Sequence, residues 1–169
     1  MQRPIWLIGM MGSGKTTVAP LVAAALGREW VDADAEVERH TGSTISELFA
    51  DSEELFRAAE VVAITALAGR HAVVATGGGV VTTAAARIMS DTGVVVWLRA
   101  SVETLSDRLG EGSSRPLLAD GADGLERIEA NRRQRYANVA DVVVDTDDSV
   151  PSEVAKLVVE ALATVSAQA

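Results

Sequence analysis

The sequence has no cysteine, which excludes disulfides, cysteine-ligated zinc and thiol catalysis. Its two histidines, His40 and His71, lie far apart without the spacing of metal ligands, and we interpret them as ordinary surface or packing residues. No apolar run approaches the roughly 20 residues needed to span a bilayer. The first apolar run comes too early, and a glycine-rich turn follows it too closely, for a signal peptide. We therefore expect a cytoplasmic protein with no membrane partner.

Basic residues are also scarce. The formal net charge is −9 at pH 7, which disfavours nucleic acid as a partner. Lysine is the rarer basic residue, since only Lys15 and Lys156 occur beside thirteen arginines. A composition bias explains most of this shortage, but one of the two lysines falls inside a glycine-rich motif.

The chain has the size and apolar content of one folded domain. It has 169 residues, 48% of them hydrophobic, so we predict a single domain over 1–169. Short β-branched runs alternate with helical patterns, which favours a parallel sheet with helices on both faces. The predicted class is a three-layer α/β/α fold whose five strands are buried on both faces. These strands are predicted at 5–8, 29–32, 72–76, 93–98 and 141–145.

Apolar periodicity predicts two of the helices. One begins after the first strand and the other lies near the C-terminus, each with apolar residues three and four positions apart. The expected buried residues are Val18, Leu21, Val22, Ala25 and Leu26 in the first, and Val154, Leu157, Val158, Ala161 and Leu162 in the second.

The motif Gly9-Met10-Met11-Gly12-Ser13-Gly14-Lys15-Thr16 matches G-x-x-x-x-G-K-[ST]. It follows a predicted strand and opens a predicted helix, the context that a P-loop requires. Its glycines let backbone N–H groups turn toward phosphates, and the helix N-terminus favours negative charge. Lys15 is expected to reach the β- and γ-phosphates, and the Thr16 hydroxyl to bind Mg²⁺. The motif predicts a P-loop NTPase-type protein that binds ATP.

Two carboxylates follow the second strand. There is no N-K-x-D signature of a guanine-specific GTPase, and the third strand ends without an acidic residue. Asp32 is therefore the candidate for the metal site, and Asp34 lies on the same side if the chain is still extended there. One carboxylate would hold Mg²⁺ and the other would orient an acceptor hydroxyl. Capping of the next helix is the alternative interpretation.

Four further patterns suggest an acceptor site. Arg57 and Glu60, in Phe56-Arg57-x-x-Glu60, share a helical face. They form either a surface ion pair or a carboxylate clamp. The glycines at 77–79 end a strand and could offer backbone donors. Residues 110–124 contain four glycines and two serines, a composition that we interpret as a mobile lid. Beyond them Arg132, Arg133 and Arg135 form the densest basic cluster.

Taken together, these motifs resemble those of shikimate kinases along nearly the whole chain. The shared elements are the P-loop, D-x-D, F-R-x-x-E, G-G-G, R-P-L in the lid and R-x-x-x-Y. In this sequence they are residues 9–16, Asp32 and Asp34, Phe56 to Glu60, residues 77–79, Arg115 to Leu117, and Arg132 with Tyr136. Each is weak evidence alone, apart from the P-loop, whereas six in the right order are highly specific.

The resemblance implies a role for each matching residue. ATP would be bound by Gly12, Ser13, Gly14, Lys15, Thr16, Thr17, Arg108 and Arg115. Mg²⁺ would be held by Thr16 and Asp32. Shikimate would be bound by Asp34, Arg57, Glu60, Gly78, Gly79 and Arg132, and the catalytic residues would be Lys15, Asp34 and Arg115. The implied reaction is ATP-dependent formation of shikimate 3-phosphate, in a nucleoside monophosphate kinase-like fold that we expect to act as a monomer.

Some positions depart from the family pattern. Ser52-Glu53 replaces Gly-Glu before the F-R pair, Ala19 stands where glycine is common, and the loop 145–148 lacks a basic residue sometimes seen there. The neighbouring Arg133 and Arg135 leave open which arginine faces the acceptor. The alternatives are a gluconate-type or nucleoside monophosphate-type kinase, or a non-catalytic ATP-binding module.

Overall fold

One five-stranded sheet organises the protein, whose computed structural model describes residues 3–110 and 121–168. All neighbouring strands are parallel and lie in the order β2-β3-β1-β4-β5. The strands are β1 (Ile5–Ile8), β2 (Glu29–Asp32), β3 (Ala72–Ala75), β4 (Val94–Arg99) and β5 (Val142–Asp145). The predicted strands are confirmed to within one residue at each end.

Helices fill the connections between these strands. In the described residues they are α1 (Lys15–Leu26), α2 (Ala33–Thr41), α3 (Ile45–Asp51), α4 (Glu53–Leu67), α5 (Ala85–Thr92), α6 (Val102–Leu109), α7 (Gly121–Val139) and α8 (Pro151–Gln168), with a 3₁₀ turn at Val80–Thr82. None of the helices in these described segments is long and apolar enough to cross a membrane.

Alternating strand residues supply two separate cores, one on each face of the sheet. Trp6 and Ile8 of β1 face a core with α4, α5 and α7. Ile5 and Leu7 of the same strand face a second core with α1 and α8. This alternation follows from the two-residue period of a strand, and it confirms the three-layer α/β/α class.

The expectation that every strand is buried on both faces is wrong for the two edge strands. In β2 the first two residues are exposed, and Trp30 keeps 44% of its surface accessible. In β5 burial alternates, so that Val142 and Val144 lie in the core while Val143 is 45% exposed. An apolar run at an edge still has only one face covered, which the sequence pattern does not reveal.

The predicted buried stripes of α1 and α8 are only partly confirmed, since the predicted residues that are buried are Val18, Val22, Val154, Val158 and Leu162. In α1, Ala19 and Ala23 are buried, whereas Leu21 is 41% exposed. In α8, Ala155 is buried and Leu157 is 44% exposed. Small alanines let the two helices lie close to each other and to the sheet, and Leu21 and Leu157 lie on the outer sides of their helices.

Candidate active site

The loop between β1 and α1 has the geometry of a phosphate cradle. Gly9, Gly12 and Gly14 have φ angles of 143°, 81° and 93°, which residues with a β-carbon rarely adopt. Lys15 begins α1, and its Nζ donates to the carbonyl oxygens of Gly9 and Met10 at 2.7 and 2.8 Å. The ammonium is therefore held at the first turn of the loop, and the helix N-terminus follows directly behind it.

One cavity of about 430 Å³ connects this loop with three other predicted site residues, Asp34, Gly78 and Arg108. It is lined by residues 12–17 of the loop, by Asp34, by Gly77 and Gly78, and by Arg108 and Thr146. The cavity therefore extends from a region beside α6 and β5 to the ends of β2 and β3. The carboxyl ends of parallel strands are where such folds bind ligands.

Asp32 lies at the side of the loop where a metal is predicted. Its Oδ2 accepts a hydrogen bond of 3.4 Å from the Thr16 hydroxyl, and its Oδ1 accepts one of 2.9 Å from the Asp34 N–H. The second bond caps α2, which confirms the capping interpretation, while the metal-holding role of Asp32 stays a prediction. The described residues contain no group of three or more acidic or histidine side chains arranged so that they could hold a metal ion. A magnesium ion here would depend on these two oxygens, water and phosphate, as Mg²⁺ sites commonly do.

Asp34 reaches the site by a different route from the one expected. The assumption that the chain is still extended there is wrong, since α2 begins at Ala33. A β-carbon added at Gly77 would lie 3.1 Å from Asp34 Oδ1 and 2.8 Å from Glu60 Oε1. The first turn of α2, the middle of α4 and the end of β3 therefore converge at Gly77, where a β-carbon would force the Glu60 carboxylate to shift.

The Arg57 side chain is fixed by several contacts and largely shielded from solvent, so Arg57 is not a surface ion-pair residue. Its guanidinium donates to Glu60 Oε2 and to Glu53 Oε1, both at 3.2 Å, and is 15% exposed. The guanidinium carbon lies 5.0 Å from the ring centre of Phe56 and 5.8 Å from that of Phe49. Two carboxylates and two aromatic rings thus fix the planar fork.

Glu60 is the most buried carboxylate of this group, with 1% of its side chain exposed. Burial raises the pKa of the Glu60 carboxyl, and the neighbouring Arg57 guanidinium opposes that shift. The carboxylate Oε1, next to Gly77, has no hydrogen-bond partner among the described residues. A buried acceptor without a partner suits a ligand hydroxyl or amine at this point.

Arg132 is the arginine of the basic cluster that lies beside Gly78, one of the residues lining the cavity. It is buried, and its Nη1 has no hydrogen-bond partner in the described chain. That atom would lie 3.6 Å from a β-carbon added at Gly78. Arg133 and Arg135 are exposed, and Arg133 pairs with Glu129 at 2.8 Å. The rotation of α7 about its own axis therefore brings Arg132, and not Arg133 or Arg135, to the glycines at 77–79.

Arg108 lies at the opposite end of the cavity. Its Nη2 donates to the Thr146 carbonyl at 2.5 Å and its Nη1 to the Thr146 hydroxyl at 3.0 Å. A longer contact of 3.4 Å reaches the Gly12 carbonyl. Three acceptors thus orient the flat guanidinium along the cavity, consistent with a place beside the base of a nucleotide.

The predicted lid is described only at its ends. Gly110 ends α6 as its C-cap, and the glycines at 121 and 124 belong to α7. The connection therefore ends before residue 121. Arg115, with the R-P-L motif, lies outside the described residues.

Comparisons with known proteins agree with this geometry. The family model "Shikimate kinase" matches residues 11–163. The chain belongs to the shikimate kinase family.

Individual shikimate kinases resemble this chain over almost its whole length. The enzyme of Symbiobacterium thermophilum is 45% identical over 94% of this chain and 95% of its own. That of Halorhodospira halophila is 44% identical over 94% of this chain and 92% of its own. A solved structure of shikimate kinase from Acinetobacter baumannii in complex with shikimate has a TM-score of 0.91 and 35% identity, covering 97% of this chain and 94% of that one.

Three contacts in this member of the shikimate kinase family were not predicted from its sequence. Glu53 is the second carboxylate on Arg57, and the Ser52 hydroxyl caps α4 by accepting from the N–H groups of Glu54 and Leu55. Phe49 stacks on Phe56, seven residues later, with ring centres 4.4 Å apart. That spacing of two helical turns was the available signal, but a break between α3 and α4 separates the two residues.

Proposed function

We propose that this protein transfers the γ-phosphoryl group of ATP to a hydroxyl of shikimate, forming shikimate 3-phosphate and ADP. The observation that carries this proposal is the cavity joining the P-loop to Asp34, Gly77 and Gly78, with Arg132 next to Gly78 and Arg57 next to Gly79. Shikimate has one carboxylate and several hydroxyls. Two guanidinium groups suit the carboxylate, and two carboxylates suit the hydroxyls.

The nucleotide occupies the loop side of the cavity in this proposal. Backbone N–H groups of residues 12–17 bind the phosphates, and Lys15 follows the charge that develops on the transferred group. Arg108 lies along the base, and Arg115 joins the phosphates from the lid. Mg²⁺ fits the oxygen pair of Thr16 and Asp32, where it would neutralise phosphate charge when bound with ATP.

The acceptor side positions the attacking hydroxyl. Arg57 and Arg132 bind the carboxylate, and Glu60 holds both Arg57 and a hydroxyl of the ring. Asp34 orients the reacting hydroxyl and accepts its proton as that oxygen bonds to the γ-phosphorus. The bond from the γ-phosphorus to the bridging oxygen breaks, and ADP leaves. Positioning and charge neutralisation supply most of the acceleration in such a transfer.

The proposal extends to the setting of the reaction. The protein acts as a monomer in the cytoplasm, on two small-molecule substrates, without a nucleic-acid or membrane partner. The net charge of −9 supports the absence of a nucleic-acid partner, because an acidic protein repels a sugar–phosphate backbone.

A coupled assay of ADP release tests the acceptor. Shikimate should give a kcat/KM at least about a hundredfold above gluconate or any nucleoside monophosphate, because only shikimate presents its carboxylate and hydroxyls in this arrangement. The alternative kinases are not favoured by the family match. A non-catalytic ATP-binding module leaves Asp34, Arg57 and Arg132 unexplained. ADP release with gluconate but not with shikimate would overturn the proposal.

Gly79→Ala tests how closely the glycines at 77–79 pack against Arg57. Gly79 has φ −94° and ψ −2°, which alanine adopts without strain, so only the new methyl group matters. That methyl would lie 2.3 Å from Arg57 Nη2. The guanidinium must move from its two carboxylates, and KM for shikimate should rise at least about tenfold. Steady-state kinetics with each substrate varied would measure it.

Gly69→Ala is the matched control for this substitution, because a β-carbon there meets nothing within 4 Å. It should leave both KM values unchanged. A Gly79→Ala enzyme with the wild-type KM for shikimate would show that Arg57 does not need its observed position.

A further inference from the structure

Tyr136 makes a contact that the proposed chemistry leaves unused. It lies one turn after Arg132 on the same face of α7 and is fully buried. Its ring stacks on Trp97 of β4, with ring centres 5.5 Å apart and planes at 24°. Its hydroxyl donates a hydrogen bond to the carbonyl oxygen of Gly78. Burial raises the pKa of the Tyr136 phenol, so the group stays protonated as a donor.

The Gly78 carbonyl belongs to the same peptide unit as the Gly79 N–H. A trans peptide is planar, so a bond that fixes the carbonyl direction also fixes the N–H, which points the opposite way. Neither Gly78 nor Gly79 donates its N–H to another group of the described chain. This N–H is therefore a donor held in place without an acceptor within that part of the protein.

The same peptide lies between the two arginines of the acceptor site. A β-carbon added at Gly78 would lie 3.3 Å from Met11 N and 3.6 Å from Arg132 Nη1, and one added at Gly79 would lie 2.3 Å from Arg57 Nη2. Glycine has no side chain to restrain its backbone, and two neighbouring glycines are freer still. The Tyr136 hydroxyl restrains this peptide through its hydrogen bond to the Gly78 carbonyl, and the Tyr136 ring is itself fixed by stacking on Trp97.

We propose that Tyr136 is a positioning residue, whose hydroxyl fixes the plane of the Gly78–Gly79 peptide so that the Gly79 N–H points at the acceptor between Arg57 and Arg132. This role rests on the proposed function, since the acceptor is taken to be shikimate. Tyr136 acts through the glycine backbone and not as a ligand of the acceptor, and its hydroxyl also neighbours Arg132, whose positive charge opposes the rise that burial causes in the pKa of the phenol.

Tyr136→Phe removes the hydroxyl and keeps the ring stacked on Trp97. The amide order parameters of Gly78 and Gly79 in the free protein, measured by ¹⁵N relaxation, should fall from about 0.85 to below about 0.6, because the peptide is no longer held. KM for shikimate should rise about tenfold, the effect of one hydrogen bond of ordinary strength. ATP affinity measured without shikimate should stay at the wild-type value.

Thr92→Val is the matched control, because it removes a hydroxyl that donates to the Ile88 carbonyl at 2.6 Å in α5, away from the cavity. It should change neither the order parameters of the two glycine amides nor the KM for shikimate. Wild-type order parameters and wild-type KM in Tyr136→Phe would overturn the inference, and so would equal changes in both variants. The relaxation measurement needs no acceptor. A wild-type protein inactive with shikimate would thus overturn the proposed function and leave the Tyr136–Gly78 connection to be decided by the order parameters.

Discussion

Lys15→Met is expected to lower kcat at least about a hundredfold while the fold survives. The ammonium lies at the first turn of the loop, 2.7 Å from the Gly9 carbonyl, and is the one charged side chain of the P-loop motif. It stabilises negative charge that develops during transfer, and removal of one such donor typically costs ~10²–10³ in kcat. Methionine has a similar length and flexibility, so it fits the space of this buried residue.

Lys156→Met is the natural control, because it changes the other lysine of the chain. Its side chain is 77% exposed and its nearest carboxylate, on Glu160, lies 3.8 Å away. Kinetics, ATP titration and circular dichroism of both variants separate catalysis from folding. A Lys15→Met enzyme that keeps more than about a tenth of wild-type kcat, a loss below ~1.4 kcal/mol, would show that the ammonium is not required.

The glycine-rich loop could be predicted because its requirements are local. A strand, a left-handed turn and a helix N-terminus each depend on neighbouring residues, so the string of residues 9–16 specifies them. The same holds for the sheet class, since buried parallel strands have a composition of their own. Asp32 could also be placed, because the end of β2 fixes its position relative to Thr16.

The remaining features depend on how distant elements pack together. Whether Arg132 or Arg133 lies beside Gly78 is decided by the rotation of α7, and that rotation is set by Tyr136 against Trp97. The buried face of α1 was partly mispredicted for the same reason, since close contact favours Ala19 over Leu21. Hydrophobic size alone does not show which side of a helix a neighbour will approach.

Arg57→Ala is expected to lower kcat/KM for shikimate roughly 30-fold to several-thousandfold. Truncating one partner of a buried, charge-assisted pair typically costs ~2–5 kcal/mol, which corresponds to that range. Arg57 is 15% exposed and bonded to Glu60, whose own side chain is 1% exposed, so solvent offers little replacement. Arg57→Lys should fail nearly as badly, because a single ammonium cannot bind two carboxylates of the protein and a third from the substrate with the geometry of a planar fork. Steady-state kinetics with each substrate varied is the measurement.

Arg39→Ala gives a control with the same spacing but a different environment. Arg39 pairs with Glu36 three residues earlier at 2.7 Å, and its side chain is 66% exposed. Exposed pairs of this kind contribute little, so kcat/KM should stay near wild type. ATP affinity without shikimate should be unchanged in all three variants, because Arg57 is assigned to the acceptor. Wild-type kcat/KM in Arg57→Ala would mean that the held guanidinium serves the packing of α4 against Phe49 and Phe56, and that Arg132 alone binds the carboxylate.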